Sequence, residues 1–292
     1  MKPLAFPPPS PPFLLQVRGL EVTFETASGV MPAVRGVDLT LRAGQVTCLV
    51  GESGSGKSVT GYSLMGLIDP PGRVRATEMS FDGRDLLTAS ENDMDRLRGK
   101  EIAMIFQEPM TALNPGRTVG AQIAEGICLH ERIGHKHARQ RAVALLERVG
   151  IRDAALRARA YPHELSGGMR QRVMIAIACA LKPKLIIADE PTTALDVTVQ
   201  AQVLQLLLSI QAEIGSAVLF ITHDLGVVAE IADQVVVMQT GRVVEAGSVE
   251  EIFLAPRDPY TRALLAAVPD VDAPRVARRH YVAADRHQGG QH

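Results

Sequence analysis

The chain has 292 residues, of which 46% are hydrophobic and 22% charged, enough for one large α/β domain or two modest ones. Its formal net charge of −1 gives no support to a nucleic-acid binder held by bulk positive charge, while an ATP-driven nucleic-acid enzyme stays open because a local basic patch would suffice. The three cysteines are far apart in the sequence, which argues against a disulfide framework or a cysteine metal site. The most apolar run, residues 173–181, is far shorter than the roughly 20 residues needed to span a bilayer.

The first part of the chain is predicted to be an arm followed by a β subdomain. Residues 1–12 are rich in proline and lack the apolar core of a signal peptide, so we expect a flexible, solvated arm. Residues 13–41 alternate apolar and polar positions in pieces, which predicts short antiparallel strands. Phe24 lies among them, and its ring suits either core packing or stacking on a nucleotide base.

Residues 51–58 carry the pattern G-x-x-x-x-G-K-S of a phosphate-binding P-loop. A β-rich run over 45–50 precedes the loop and a helical pattern over 59–68 follows it, which is the context that the motif requires. A glycine- and serine-rich turn that binds nothing is therefore a poor alternative. We expect the backbone N–H groups to cradle phosphate, the lysine to neutralise the outer phosphates and the last serine to ligate Mg²⁺. The predicted nucleotide-binding residues of the loop are Gly51, Ser53, Gly54, Ser55, Gly56, Lys57 and Ser58.

Gln107 comes directly after a continuous apolar strand, residues 102–106. Because α/β folds place ligand contacts just past the ends of buried strands, its amide is a candidate for holding Mg²⁺ or the attacking water. The neighbouring Glu108 is interpreted as a solvated loop charge. Residues 108–182 are mostly helical in pattern, with the clearest helices at 119–129 and 137–149, and the histidines in this region lack the spacing of a metal site.

A second anion-binding surface is predicted at Leu165-Ser166-Gly167-Gly168-Met169, ahead of a helix over 170–181. Ser166 is suited to cap that helix, and the two glycines leave its start open to an anion. The segment has no lysine of its own. It is therefore either a plain capped turn or a surface that closes on phosphates held elsewhere.

Acidic and imidazole side chains follow the next two predicted strands. Asp189 and Glu190 end the buried strand that begins at residue 185, and adjacent carboxylates there are costly unless a function requires them. With a P-loop nearby, Asp189 is predicted to hold the Mg²⁺ shell, and Glu190 to polarise the attacking water. His223 follows the strand over 217–222, and we interpret it as a contact to the terminal phosphate or the water.

The last part of the chain is predicted as a helix over 197–214, a hairpin over 235–247, and a helical stretch over 252–268 that prolines interrupt. Residues 256–292 form a C-terminal extension. Its final part, residues 270–292, lacks a hydrophobic period and is expected to be a flexible tail.

These motifs, in this order, resemble the ATP-binding subunits of ABC transporters over nearly all of residues 13–268. The resemblance implies an α/β fold in which a P-loop NTPase core with a mostly parallel sheet carries an antiparallel β subdomain and an inserted α-helical subdomain. It implies a nucleotide-binding domain over 13–255, with the helical subdomain at about 108–182. It favours adenine stacking for Phe24, although tyrosine is commoner there, and adds a D-loop at Ala194-Leu195-Asp196, with Asp196 near the nucleotide.

The resemblance also implies how the second anion surface works. Ser166, Gly167 and Gly168 of one subunit cap the γ-phosphate of an ATP held by the P-loop of another subunit. Two ATP molecules are then bound between the two subunits of a dimer, and their hydrolysis allows the dimer to open. A monomer is accordingly expected to be a poor ATPase.

Subgroup features resemble the dipeptide, oligopeptide and nickel importers: the run from Phe106 to Pro115, the Met169-Arg170-Gln171-Arg172 segment, and the run from Pro259 to Leu265. The resemblance implies two transmembrane permeases, a second ATPase that is a related but different chain, an extracytoplasmic substrate-binding protein and no nucleic acid. It places the chain on the cytoplasmic face of the cell membrane as a peripheral protein. No cysteine follows Cys179, so the iron–sulfur cluster of longer members is not expected.

The leading hypothesis is the motor subunit of a peptide importer. Nickel or another small cargo is the alternative within transport, and a soluble ABC-type ATPase of DNA repair or ribosomes is the alternative outside it. The chain lacks the long coiled coil of the first soluble class and the doubled ATPase unit of the second. A regulatory module that holds ATP without turnover is expected to lack the carboxylate or the switch histidine, and this chain has both.

Overall fold

A computed structural model describes residues 13–193 and 195–267 of the chain. The Pro-rich arm and the C-terminal tail predicted above lie outside these residues. The strands, in chain order, are β1 (Leu15–Thr26), β2 (Gly29–Leu41), β3 (Val46–Val50), β4 (Gly72–Arg75), β5 (Glu78–Phe81), β6 (Arg84–Asp85), β7 (Ile102–Ile105), β8 (Leu185–Asp189), β9 (Ala217–Thr222), β10 (Gln234–Gln239) and β11 (Arg242–Ser248).

Helices lie between most of these strands. They are α1 (Lys57–Leu64), α2 (Glu91–Leu97), α3 (Pro109–Ala112), α4 (Val119–His130), α5 (His135–Arg148), α6 (Ala154–Arg157), α7 (Gly167–Cys179), α8 (Val197–Ile214), α9 (Leu225–Ile231), α10 (Val249–Leu254) and α11 (Pro259–Ala266), with a short 3₁₀ turn at Pro162–Glu164. The stretch predicted as a helical subdomain is occupied by α3 to α7.

The central sheet has six strands in the order β11-β10-β3-β9-β8-β7. Neighbouring strands from β10 to β7 are parallel, and β11 pairs antiparallel with β10 at the edge. The strands β3, β9, β8 and β7 therefore end at the same edge of the sheet. The P-loop, Gln107, Glu190 and His223 follow these four ends, as ligand sites do in open α/β sheets.

The second sheet is antiparallel, in the order β2-β1-β5-β6, with β4 also paired to β1. The sequence predicted short pieces here, but β1 and β2 are long strands paired from Leu15 and Leu41 to Thr26 and Gly29. Three register shifts interrupt the ladder, and each disturbs the alternation of apolar and polar positions. The strands therefore look fragmented in the sequence although their pairing continues.

The central sheet is buried on both faces. On β9, Val218 and Phe220 belong to one apolar cluster, which includes residues of α4, α5, α7 and α8, whereas Leu219 and Ile221 belong to the other cluster, with the antiparallel sheet and α1. Successive side chains of a strand point to opposite faces, which produces this division. Fully burying one such aliphatic or aromatic side chain stabilises the fold by about 1.5–3 kcal/mol.

Several predicted element bounds were wrong. The helix after the P-loop covers Lys57–Leu64 rather than 59–68. The helix predicted over 170–181 begins at Gly167 because Ser166 caps it, so both signature glycines lie in its first turn. Helices α2 and α9 were not predicted, because each has only seven residues and too little sequence for a periodic pattern.

Substitution of two glycines of α4 tests how closely this helix packs on its neighbours. Gly120 donates its N–H to the carbonyl of Ala158, and a Cβ there would lie 2.6 Å from that oxygen, whereas a Cβ on Gly126 would meet nothing within 4 Å. We expect Gly120→Ala to lower the free energy of unfolding by about 1–3 kcal/mol or more. The matched control Gly126→Ala should raise it by about 0.5–1 kcal/mol through helix propensity. Urea denaturation measures both, and equal effects would contradict the packing described.

Candidate functional site

The P-loop leaves β3 and curls through three glycines with positive φ angles: 152° at Gly51, 78° at Gly54 and 101° at Gly56. A Cβ on Gly51 would lie 2.1 Å from the carbonyl oxygen of Met238, and one on Gly56 would lie 2.6 Å from that of Ala33. Only glycine adopts these angles without strain and leaves this space free. The loop therefore depends on both its backbone angles and its close approach to β2 and β10.

Lys57 is buried, with 4% of its surface exposed. Its ammonium donates hydrogen bonds of 2.8 Å to the carbonyls of Gly51 and Glu52, so the side chain lies back across the loop that precedes it. Burial lowers the pKa of Lys57, while the negative charges of Glu190 and Asp189 act in the opposite direction. A positive charge held among carbonyl oxygens at this depth is suited to bind an anion that enters the loop.

Asp189 ends β8 fully buried beside the start of α1. The hydroxyl of Ser58 donates a 2.9 Å hydrogen bond to Oδ1, and Oδ2 is buried without a hydrogen-bond partner. Burial raises the pKa of Asp189, and burial together with the charge of Asp189 raises the pKa of Tyr62 to about 12. A hydroxyl beside a carboxylate with a free oxygen matches the oxygen ligands that Mg²⁺ prefers.

Among the residues that the structure describes, no group of three or more histidine, cysteine or carboxylate side chains is arranged to hold a metal ion. At phosphate sites, proteins commonly bind Mg²⁺ through one or two side chains while phosphates and water complete the shell. The hydrogen-bonded pair Ser58 and Asp189 has the composition that this mode of binding uses.

Glu190 lies at the centre of a hydrogen-bonded cluster. Its Oε2 accepts from the amide of Gln107 at 3.1 Å and from the hydroxyl of Thr193 at 2.9 Å, and its Oε1 lies 3.1 Å from Nδ1 of His223. Its backbone has a positive φ of 43°, which is uncommon for a residue other than glycine, and its N–H donates to the carbonyl of Ile221. The end of β8 therefore places the Glu190 carboxylate between the ends of β7 and β9, from which Gln107 and His223 reach it.

The side chains around Glu190 differ in exposure. The Glu190 side chain is 14% exposed and that of His223 is 59% exposed. The carboxylate is therefore shielded from bulk water while the imidazole is open to a ligand or to another subunit. A shielded carboxylate beside a phosphate-binding loop is arranged to accept a proton from a water molecule.

The predicted signature segment is exposed at the start of α7. Ser166 caps the helix by accepting a 3.4 Å hydrogen bond from the N–H of Met169. Ser166 and Gly167 are exposed, whereas a Cβ on Gly168 would lie 2.8 Å from Cγ1 of Val199 on α8. Ser166 and Gly167 therefore lie at the surface, and the small size of Gly168 allows α7 to pack closely on α8.

Two other residues that were predicted to lie at the nucleotide, Asp196 and Phe24, make contacts within the protein. Asp196 caps α8 by accepting a 2.9 Å hydrogen bond from the N–H of Val199, and Ala194 of the same segment lies outside the described residues. Phe24 is half-buried on β1 and packs against the second apolar cluster, with its ring next to Gly72. Contact of Asp196 or Phe24 with a nucleotide stays a prediction.

Sequence reasoning missed three residues around the site. Thr193 lies three positions after Glu190, and a hydroxyl at that spacing could have indicated its hydrogen bond to the carboxylate. Tyr62 lies on the first turns of α1 near Asp189, but the helical pattern alone does not indicate which neighbour its ring meets. Tyr260 accepts a hydrogen bond from the N–H of Glu52 across 208 positions of the chain, and no local pattern predicts such a contact.

No helix within residues 13–193 and 195–267 is both long enough and apolar enough to cross a membrane.

The sequence matches the ABC transporter family over residues 34–193 and the oligopeptide/dipeptide transporter C-terminal region over residues 244–289. It is 54% identical over 261 residues to the oligopeptide transport ATP-binding protein OppD of Bacillus subtilis, which covers 89% of this chain and 73% of that protein. It is 54% identical over 257 residues to the dipeptide transport ATP-binding protein DppD of Escherichia coli, covering 88% of this chain and 79% of that protein.

The structure is similar to that of the ATP-binding cassette MJ0796 in a dimeric post-hydrolysis state bound to ADP and phosphate. The TM-score is 0.72 at 26% identity, with 80% of this chain and 98% of that chain covered. These similarities confirm the predicted P-loop NTPase fold and the resemblance drawn from the motifs. The chain belongs to the ABC transporter family and is an ABC-type ATPase.

Proposed function

We propose that the chain is the ATP-hydrolysing motor subunit of a membrane importer for dipeptides or oligopeptides. The observation that carries the catalytic part is the convergence of Gln107, Thr193 and His223 on the shielded carboxylate of Glu190. That carboxylate follows Asp189 directly and lies at the same sheet edge as the P-loop. A base, a phosphate cradle and a metal-ligand pair are thereby brought together, as phosphoryl transfer requires.

Within this proposal, Glu190 accepts the proton of the attacking water. Gln107 and His223 hold the carboxylate in position in the nucleotide-free protein, and both side chains are placed to contact the water or the terminal phosphate when ATP is bound. Lys57 exchanges its contacts with loop carbonyls for contacts with the outer phosphates. The N–H groups of residues 51–58 bind the phosphates, with Phe24 against the adenine and Asp196 close to the nucleotide.

The Mg²⁺ ion that accompanies ATP is assigned to Ser58 and Asp189, with Gln107 as a further oxygen ligand. The free Oδ2 of Asp189 supports this assignment, because a buried carboxylate oxygen without a partner is costly unless a ligand uses it. When bound, the ion neutralises charge that develops on the phosphates.

Hydrolysis is proposed to require a second ATPase subunit. Ser166 and Gly167 are exposed at the start of α7 and have no lysine beside them in the sequence, which suits a surface that completes a phosphate site on another subunit. The dimeric states of MJ0796 to which this fold is similar support such an arrangement. The nucleotide-binding domain would then comprise residues 13–255, with residues 108–182 as its helical part.

The cargo and the partners are inferred from the relatives. Their names include oligopeptide transport, dipeptide transport and glutathione import, and all three cargoes are peptides. We propose two transmembrane permeases, a second and different ATPase subunit and an extracytoplasmic binding protein as partners, with this chain at the cytoplasmic face of the membrane.

The metal assignment is tested with Asp189→Asn. Because burial disfavours the charge of Asp189 in the metal-free protein, the neutral isostere should leave the nucleotide-free protein at least as stable as the wild type. The same change should remove a metal ligand and lower Mg²⁺-dependent ATP hydrolysis by about tenfold or more. Thermal denaturation with and without Mg²⁺ and ATP, together with steady-state hydrolysis, measures both effects.

The control for this substitution is Asp153→Asn, on an exposed residue whose side chain makes no capping hydrogen bond. It should change neither the stabilisation by Mg²⁺ and ATP nor the hydrolysis rate. Retention of full Mg²⁺-dependent activity in Asp189→Asn would refute the assignment.

A further inference from the structure

The C-terminal helix α11 touches the P-loop through one hydrogen bond. The hydroxyl of Tyr260 accepts from the backbone N–H of Glu52 at a distance of 3.1 Å. Glu52 is the second residue of the phosphate-binding motif, and Tyr260 lies in the C-terminal region outside the matched ABC transporter segment. Nothing in the proposed chemistry of ATP hydrolysis requires this contact.

Tyr260 is itself held firmly. The side chain of Asp258 caps α11 and accepts a 2.7 Å hydrogen bond from the N–H of Tyr260. The carboxylate of Glu245 on β11 accepts from the N–H groups of Arg257 at 2.8 Å and Asp258 at 3.1 Å. The start of α11 is therefore fixed to the edge of the central sheet, and the Tyr260 hydroxyl is presented to the loop from a defined position.

The same loop residue is held from its other side by Lys57. The carbonyl of Glu52 accepts a 2.8 Å hydrogen bond from the Lys57 ammonium, while its N–H donates to Tyr260. Polar contacts thus hold the backbone of Glu52 at both its N–H and its carbonyl. When Lys57 turns to a phosphate, its contact with the Glu52 carbonyl is given up. That carbonyl keeps a 3.2 Å hydrogen bond from the N–H of Ser55, and the hydroxyl of Tyr260 holds the N–H of Glu52 from outside the loop.

We propose that Tyr260 is a positioning residue that couples nucleotide binding at the P-loop to the docking of the C-terminal helix α11. The proposal rests on the proposed function of the P-loop as the ATP site. The coupling is reciprocal: docked α11 favours the loop shape that binds ATP, and bound ATP favours docked α11. A permease or second subunit that contacts α11 would thereby influence ATP affinity without touching the nucleotide.

The variant Tyr260→Phe tests the proposal because it keeps the ring that packs on the core and removes only the hydroxyl. Loss of one hydrogen bond should weaken ATP binding by about two- to tenfold, measured by titration of the full chain. In the wild type, ATP should slow amide hydrogen exchange over residues 259–266. In Tyr260→Phe this nucleotide-dependent slowing should be lost, which a merely structural role of the ring would not cause.

Arg262→Gln is the control, because Arg262 is exposed on the same helix and contacts the carbonyl of Pro256 rather than the loop. It should bind ATP like the wild type and keep the exchange response. Unchanged ATP affinity and an unchanged exchange response in Tyr260→Phe would overturn the coupling while leaving the ATP site intact. Failure of the wild type to bind ATP would instead overturn the proposed function, and the coupling with it.

Discussion

Replacing Glu190 with glutamine is expected to lower ATP turnover by about 10²- to 10⁴-fold while ATP affinity stays close to that of the wild type. Glutamine preserves the size of the side chain and an oxygen that can accept from Gln107 or Thr193, but it cannot take a proton from water. Because ATP is then bound and not hydrolysed, the proposed ATP-sandwich dimer should accumulate. Steady-state hydrolysis and size-exclusion chromatography with ATP measure the two effects.

The matched control is Glu108→Gln, which makes the same chemical change on an exposed carboxylate that forms no side-chain capping hydrogen bond. It should hydrolyse ATP at close to the wild-type rate. Near-normal turnover in Glu190→Gln would show that another group is the base, and the cluster around this carboxylate would then have only a structural role.

Replacing Lys57 with alanine is expected to weaken ATP binding by about tenfold or more, since a hydrogen bond to a charged group contributes about 1.5–3 kcal/mol. The change also removes the Lys57 donor from the buried carbonyl of Gly51, which should lower the stability of the protein without ATP. Lys57→Met keeps the length of the apolar stem, so agreement between the two variants would assign the lost affinity to the charge. Isothermal titration with ATP, and denaturant unfolding without it, give the two quantities.

Lys136→Ala serves as the control for charge alone, because this lysine is exposed on α5, outside the site. It should bind ATP like the wild type. Wild-type ATP affinity in both Lys57 variants would contradict the assignment of residues 51–58 as the phosphate site.

The arrangement of strand ends could be predicted from the sequence because each candidate residue directly follows a short apolar run. Gln107, Asp189, Glu190 and His223 all meet this description, and parallel strands bring such residues to one edge of a sheet. A position in the chain, however, does not reveal which side chains touch. The hydrogen bonds that converge on Glu190 follow from the order β9-β8-β7, which periodicity does not specify.

Other features of the fold could not be predicted from the sequence, each for a different physical reason. The register shifts between β1 and β2 hide continuous pairing, because each disturbs the two-residue period by which strands are recognised. The start of α7 was placed three residues late because two glycines are poor helix formers, although a cap at Ser166 makes them its first turn. The contact between Tyr260 and Glu52 depends on how α11 docks on β11, which is a property of the folded chain.

The central claim, that this ATPase drives a peptide importer, is tested most directly by purifying the tagged full chain from detergent-solubilised membranes of its own host and identifying every partner by mass spectrometry. We predict recovery of two membrane permeases, a second ATPase subunit and an extracytoplasmic peptide-binding protein. Recovery of soluble partners alone, such as ribosomes or DNA-repair proteins, would contradict the importer function while leaving the ATPase chemistry at Glu190 intact.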